Sequence, residues 1–137
     1  MIRPILLAGA CISFTMLWAQ DTTLKISVQK VQPGQGHVRV CLFDNEKDFL
    51  NRARQCIDVE ATGETSVQTT FQQVENGTYA VVVYQDMNSN GKLDRNWMGL
   101  PAEPYGFSNN PSTLFGPPSF SKASFQLTKS TSIIIRL

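Results

Sequence analysis

The stretch Asn76-Gly77-Thr78-Tyr79-Ala80-Val81-Val82-Val83-Tyr84 decides the fold of this chain. Asn-Gly is a strong tight-turn signal, and the residues after it form a continuous run of β-formers. Such a run belongs to a central strand. Outward from it, Ser66 to Val74 reads as the preceding strand, and Ile57 and Val59 mark a short one before that. Nearer the start, Leu24, Ile26 and Val28 alternate with polar neighbours, and Val38, Val40 and Leu42 repeat the alternation through Phe43. Period-2 alternation predicts strands with one buried face, and Pro33-Gly34-Gln35-Gly36 between them predicts a hairpin. From Asn45 to Gln55 the pattern changes: Asn45 can cap, Glu46 and Asp48 fall in a first turn, and Phe49, Leu50 and Ala53 share a helical face. Residues 86 to 122 are rich in Asn, Gly, Pro and Ser, and strands follow at 123–127 and 132–137. Ile133-Ile134-Ile135-Arg136-Leu137 is expected to pair in a sheet. These signals predict an all-β chain, an antiparallel β-sandwich of the Ig-like or prealbumin-like kind. It would have about seven strands, one short helical excursion and a long ordered loop.

The first twenty residues carry one cation, Arg3, then an uncharged apolar run from Ile5 to Trp18 ending in Leu17-Trp18-Ala19-Gln20. That pattern predicts a signal peptide over residues 1–20, a single domain over 21–137, and a protein exported to the periplasm or secreted. The run is shorter than the roughly 20 residues a bilayer core requires. Attachment of lipid at Cys11 is disfavoured, because the apolar run continues past it through Ile12, Phe14, Met16 and Leu17. Removing residues 1–20 takes away one of 12 basic and none of 11 acidic side chains, leaving a formal net charge of zero. A basic footprint for nucleic acid is therefore absent. Cys41 and Cys56 remain, an even count that predicts a disulfide in an oxidising compartment; the competing reading is two separate buried thiols. Asn76-Gly77-Thr78 also fits the N-glycosylation pattern, though the turn explains the same residues. His37, the single histidine, reads as a solvated strand-end residue.

The central strand runs into Asp86-Met87-Asn88-Ser89-Asn90-Gly91-Lys92-Leu93-Asp94. A calcium loop takes side-chain oxygens from positions 1, 3 and 5, turns on a Gly at 6, uses a carbonyl at 7 and often a water at 9. Asp86, Asn88, Asn90, Gly91, Lys92 and Asp94 fill those places, and Glu103 is the nearest carboxylate able to close the shell. Position 12, the bidentate Glu of an EF-hand, is Trp97, so a complete EF-hand is excluded. Two certain carboxylates beside Lys92 and Arg95 imply affinity for Ca2+ in the weak extracellular range of about 10⁻⁴ to 10⁻³ M. The competing reading is an ordinary hydrogen-bonded turn built from common turn residues.

Four segments together resemble a known family: Tyr79 to Tyr84, Asp86 to Asp94, Gly99-x-Pro101-x-Glu103-x-Tyr105-Gly106-Phe107-Ser108-Asn109-Asn110, and Phe120-x-x-Ala123-x-Phe125. The chain is similar to the small exported bacterial proteins grouped as domain of unknown function 2141. The resemblance implies one β-sandwich domain, bacterial origin and export, and it brings no activity and no catalytic residue. The loop also looks like calcium-holding loops in prealbumin-like domains of bacterial surface adhesins.

The function expected on these grounds is an exported, non-enzymatic, calcium-stabilised module that binds a glycan or a protein of the cell envelope. Its candidate surface comprises Trp97, Tyr105, Phe107 and Phe115, with Phe120 adding aromatic area. The plainer reading has these aromatics packing the long loop onto the sheet. A hydrolase using Asp86, Asp94 or Glu103, with a metal as Lewis acid, is one alternative. A structural envelope component is another.

Overall fold

The computed structural model describes residues 11–16, 22–95 and 101–137. Eight strands form two facing sheets: β1 (Thr22–Gln29), β2 (His37–Phe43), β3 (Gln55–Glu60), β4 (Ser66–Val74), β5 (Gly77–Asp86), β6 (Tyr105–Phe107), β7 (Phe125–Leu127) and β8 (Thr131–Arg136). One short helix, α1, spans Phe120–Ala123. The smaller sheet has the order β4-β1-β8, and the larger has the order β3-β2-β5-β6 with β7 also on β5. The alternating residues read from the sequence do face inward. Leu24, Ile26 and Val28 of β1 meet Val38, Val40 and Leu42 of β2, with Phe71, Val81, Val83, Leu127 and Ile135 completing one core. The architecture is the expected all-β sandwich, and β5 is its central strand.

The predicted hairpin between the first two strands does not form. β1 pairs with β4 antiparallel and with β8 parallel, while β2 pairs with β3 and β5 in the other sheet. The reason lies in the two apolar faces: in opposite sheets they bury each other, which they cannot do side by side. The connection over residues 30–36 therefore crosses the sandwich. Fully buried Gln85 of β5 holds it: Oε1 accepts from Gln32 N–H at 2.9 Å, and Nε2 donates to the carbonyls of Gln32 and Gln35 at 2.7 and 2.8 Å. Gly36 ends the crossing with φ 62°, and a Cβ there would sit 1.9 Å from the Asp86 carbonyl oxygen.

The helical excursion is also reduced. Asn45 caps as expected, its Oδ1 accepting from Asp48 N–H at 2.8 Å, and Arg52 N–H donates to Asp48 O at 2.8 Å. Leu50 is left-handed, φ 66°, so the turn does not propagate into a helix. The helix lies instead at Phe120–Ala123, taking Ala123 from the strand expected at 123–127; that strand begins at Phe125. The long segment after β5 is subdivided by β6, by α1 and by an isolated bridge between Arg95 and Pro101. The chain end pairs as expected, but parallel to β1.

Residues 1–10 and 17–21, which hold most of the expected signal peptide, lie outside the described residues, as does Trp97. Cys11 is exposed and unpaired. Among the described residues no helix is long and apolar enough to cross a membrane.

Candidate functional site

Two features converge on the end of β5. The first is the Asp86 to Asp94 loop. Asp86 closes the strand and is almost wholly buried, with Oδ1 accepting from Asn90 N–H at 3.1 Å and Oδ2 from Gly91 N–H at 2.6 Å. Glu103 reaches in from the following turn, its oxygens accepting from Met87 N–H at 2.6 Å and Asp94 N–H at 2.8 Å. Asp94 accepts from the side-chain amides of Asn88 at 2.6 Å and Asn90 at 2.7 Å. A hydrogen bond from Asn90, larger than the opposing desolvation and aided by a lesser one from Asn88, holds the Asp94 carboxyl below its ordinary range. Lys92 contributes its N–H to Asn90 Oδ1 at 3.1 Å. The loop thus joins Asp86, Asn88, Asn90, Lys92, Asp94 and Glu103 in one network, and among the described residues no three His, Cys, Asp or Glu group as a metal-holding set.

His37 is not a bare strand-end residue. Its Nδ1 lies 3.3 Å from Ser89 Oγ and its Nε2 lies 3.8 Å from Asp86 Oδ2. With both Asp86 oxygens already taken by backbone N–H groups, this contact braces the loop against β2.

The second feature is the outward face of the larger sheet. Alternation on β5 sends Val82 and Tyr84 outward, and on β2 it sends Cys41 and Phe43 outward beside them. Cys41 and Cys56 face each other across β2 and β3, with Cα atoms 4.1 Å apart, and they are disulfide-bonded. Phe49 lies over this face, 5.4 Å from Phe43, 5.6 Å from Phe120 and 6.4 Å from Phe107, centroid to centroid. Edge-to-face geometry at such distances adds about 0.5–1.5 kcal/mol per pair beyond area burial. These rings fix the turn after β2 and the helix to the same sheet.

Between them a cleft of about 450 Å³ stays open. Its lining includes Val82, Tyr84, Tyr105 and Phe107, and its rim carries Leu50, Leu114 and Phe115. Leu50 is 44 %, Leu114 81 % and Phe115 99 % exposed. That volume is within the roughly 300–1,000 Å³ of small-molecule sites, and the lining is mostly apolar.

Three expected surface residues, Tyr105, Phe107 and Phe115, therefore meet at one cleft, while Phe107 is itself buried and Phe120 packs against Phe49. Leu114 escaped the sequence reading because no periodic pattern surrounds it, and Leu50 was read as part of a helical face with no cleft in view. Val82 and Tyr84 lie in a continuous apolar run, so their outward direction emerges only from the pairing of Val82 with Cys41. Gln85 had no signal of its own beyond its place in an apolar strand.

A family model described as an uncharacterised protein conserved in bacteria, DUF2141, matches residues 26–134. The chain belongs to this family. No curated protein and no solved structure matches it. The matched region runs from β1 into β8, so both the loop and the cleft lie inside what members of this family share as a domain.

Proposed function

We propose that this member of the family is an exported, non-enzymatic binding module that takes an apolar guest in the cleft on the outer face of the larger sheet. The observation that carries this reading is the cleft itself, floored by Val82 and Phe107 and rimmed by exposed Leu114 and Phe115. Large apolar side chains left in water at one edge of an apolar cavity are costly unless something covers them. A glycan is a poorer guest than an apolar one, because its hydroxyls need a set of hydrogen-bonding partners that this lining mostly lacks. Export fits the disulfide, since such bonds persist in oxidising compartments. The test is titration with N-phenyl-1-naphthylamine, a neutral apolar dye whose fluorescence rises on leaving water. Saturable enhancement is expected for the parent and strong loss for Leu114→Ser/Phe115→Ser, whose exposed positions leave folding intact. No enhancement, or equal enhancement in both proteins, overturns the proposal.

Calcium at the Asp86 loop is a second proposal, and its support is the convergence of Asn88, Asn90 and Asp94 within hydrogen-bonding distance while Asp86 turns into the same loop. In this role the ion serves architecture, with the Asn side chains turning their oxygens inward. Asp94→Asn is the informative variant, because Asp86 also holds two backbone N–H groups and its loss would destabilise the fold with or without an ion. A calcium-dependent rise in melting temperature that Asp94→Asn abolishes is expected. The same melting curve in calcium and in chelator overturns it.

A further inference from the structure

A second, smaller cleft of about 290 Å³ adjoins the first and shares Tyr105, Phe107 and Thr113 with it. β6 is the divider: the larger cleft lies over its outward face, and the smaller lies along its edge, toward the end of β8. Gly106 lets β6 pack closely on β8 here, since a Cβ there would stand 2.5 Å from the Arg136 carbonyl oxygen and 2.9 Å from Ile135 Cγ2. The edge is also closed to another strand. Asn110 Nδ2 donates to Ile134 O at 2.9 Å and Arg136 N–H donates to Asn110 Oδ1 at 2.9 Å, so one side chain takes the two backbone groups a neighbouring strand would use. A guest reaching this edge therefore meets side chains.

The chemistry of the two ends differs. The larger end is mostly apolar, with Arg95 its one charged lining residue among the described residues, whereas the smaller is lined by both Lys30 and Arg136. Both cations are exposed and neither is in an ion pair among the described residues. Leu137 lines the same end, and among the described residues no Asp or Glu side chain does. From Pro104 to Leu137 the sequence has no Asp or Glu side chain, while Lys122, Lys129 and Arg136 all fall there. A mostly apolar cleft beside one lined by two cations complements a molecule with an apolar tail and an anionic head.

Building on the apolar-guest reading, we propose that the guest is a single-chain amphiphilic carboxylate, its tail over Val82 and Phe107 and its head at Lys30 and Arg136. The head contacts lie near solvent, so they set preference more than overall affinity. Exposed ion pairs are worth little, and the head adds a factor of about two to five in affinity at low salt. That preference declines as salt screens it.

Dodecanoate and dodecanol are the probes, each kept below its aggregation limit and titrated into the full chain with ¹H–¹⁵N NMR detection. Dodecanoate is expected to bind two- to fivefold more tightly than dodecanol at low salt, with the difference fading at high salt. It should shift the amides of Lys30 and Arg136 as well as those of Val82 and Leu114. In Lys30→Gln/Arg136→Gln, dodecanoate should fall to the affinity of dodecanol while dodecanol is unchanged. If the two probes bind the parent equally, or the double variant keeps the preference, the carboxylate assignment is overturned and the apolar cleft stands. If neither probe binds, both are overturned.

Discussion

Replacing Gln85 tests the crossing between the two sheets. Its side chain makes three hydrogen bonds to the backbone of Gln32 and Gln35, one accepted and two donated. A hydrogen bond contributes about 1 kcal/mol net, and a buried partner left unsatisfied costs about 1–3 kcal/mol. In Gln85→Ala the abandoned groups lie in an exposed segment and water recovers part of the loss, so about 2–3 kcal/mol is expected. For a domain of this size that is a fall in melting temperature of about 10 °C. Gln85→Glu separates donor from acceptor. The carboxylate still accepts from Gln32 N–H, but its second oxygen faces two carbonyl oxygens that had shared an N–H₂ group. At neutral pH Gln85→Glu should therefore be at least as destabilised as Gln85→Ala, despite its near-identical shape. Protonation restores one donor, so the carboxyl should titrate above its ordinary range in the folded state. A raised folded pKa means the penalty is present at high pH and shrinks as pH falls toward the ordinary carboxyl range. The assay is urea unfolding of parent and both variants between pH 4.5 and 8. If Gln85→Glu matches the parent at pH 8, or if its deficit does not shrink on acidification, the accounting of donors at this crossing is wrong.

Removal of the disulfide by Cys41→Ala/Cys56→Ala should cost about 2–3 kcal/mol, the chain-entropy value for a separation of 15 residues, read as a lower urea midpoint without loss of strand signal in circular dichroism. Gly36→Ala should be more damaging than most surface changes, about 2–4 kcal/mol, because it combines a left-handed φ with a Cβ driven against the Asp86 carbonyl; thermal melting measures it. The Arg39 guanidinium, bonded to Asp58 at 2.8 and 2.9 Å, holds the Asp58 carboxyl below its ordinary value of 3.8. A depressed folded pKa gives stability that is present above 3.8 and lost as pH falls below it. Asp58→Asn should accordingly destabilise by about 0.5–1 kcal/mol at pH 7, the range for a partly exposed pair, and flatten the fall in stability below pH 4.

What the sequence made legible was local. Leu24, Ile26 and Val28 announce their strand because burial on one face imposes a period of two, and Val81 to Val83 announce theirs as a continuous apolar run; both signals survive any arrangement of the strands. Which strands pair is a different matter. The connection from β1 to β2 carries ordinary turn residues, and nothing in Pro33-Gly34-Gln35-Gly36 distinguishes a hairpin from a crossing between sheets. The difference is made by Gln85, some fifty residues away, and by the need of two apolar faces to meet. The helical excursion stops at a single turn for a comparable reason. Asn45 does cap, but the turn has to lay Phe49 against Phe43 and Phe107, and Leu50 turns left-handed in doing so. Local propensity yields there to tertiary contact. At the Asp86 loop the alternate spacing was visible, as was Glu103, yet the direction of each hydrogen bond was not.

The cleft was the least legible feature because no single segment builds it. Its floor comes from the outward parity of β2 and β5, its wall from β6, and its rim from residues 113–117. What holds these pieces together is Ser108, buried in the gap between β6 and β7 on the same edge of β5. Its backbone N–H donates to Val81 O at 2.9 Å, its hydroxyl accepts from Val81 N–H at 2.9 Å, and the same hydroxyl donates to the carbonyl of Ala123. One serine thus satisfies the strand edge that β6 and β7 leave uncovered and ties the end of α1 to it. Because β6 and β7 have only three residues each, neither can hold its position on β5 by ladder bonds alone. The segment between them, with Leu114 and Phe115 at its tip, is anchored at both ends through this contact. The rim is therefore apolar at its tip and fixed at its base, the combination that the proposed binding role requires.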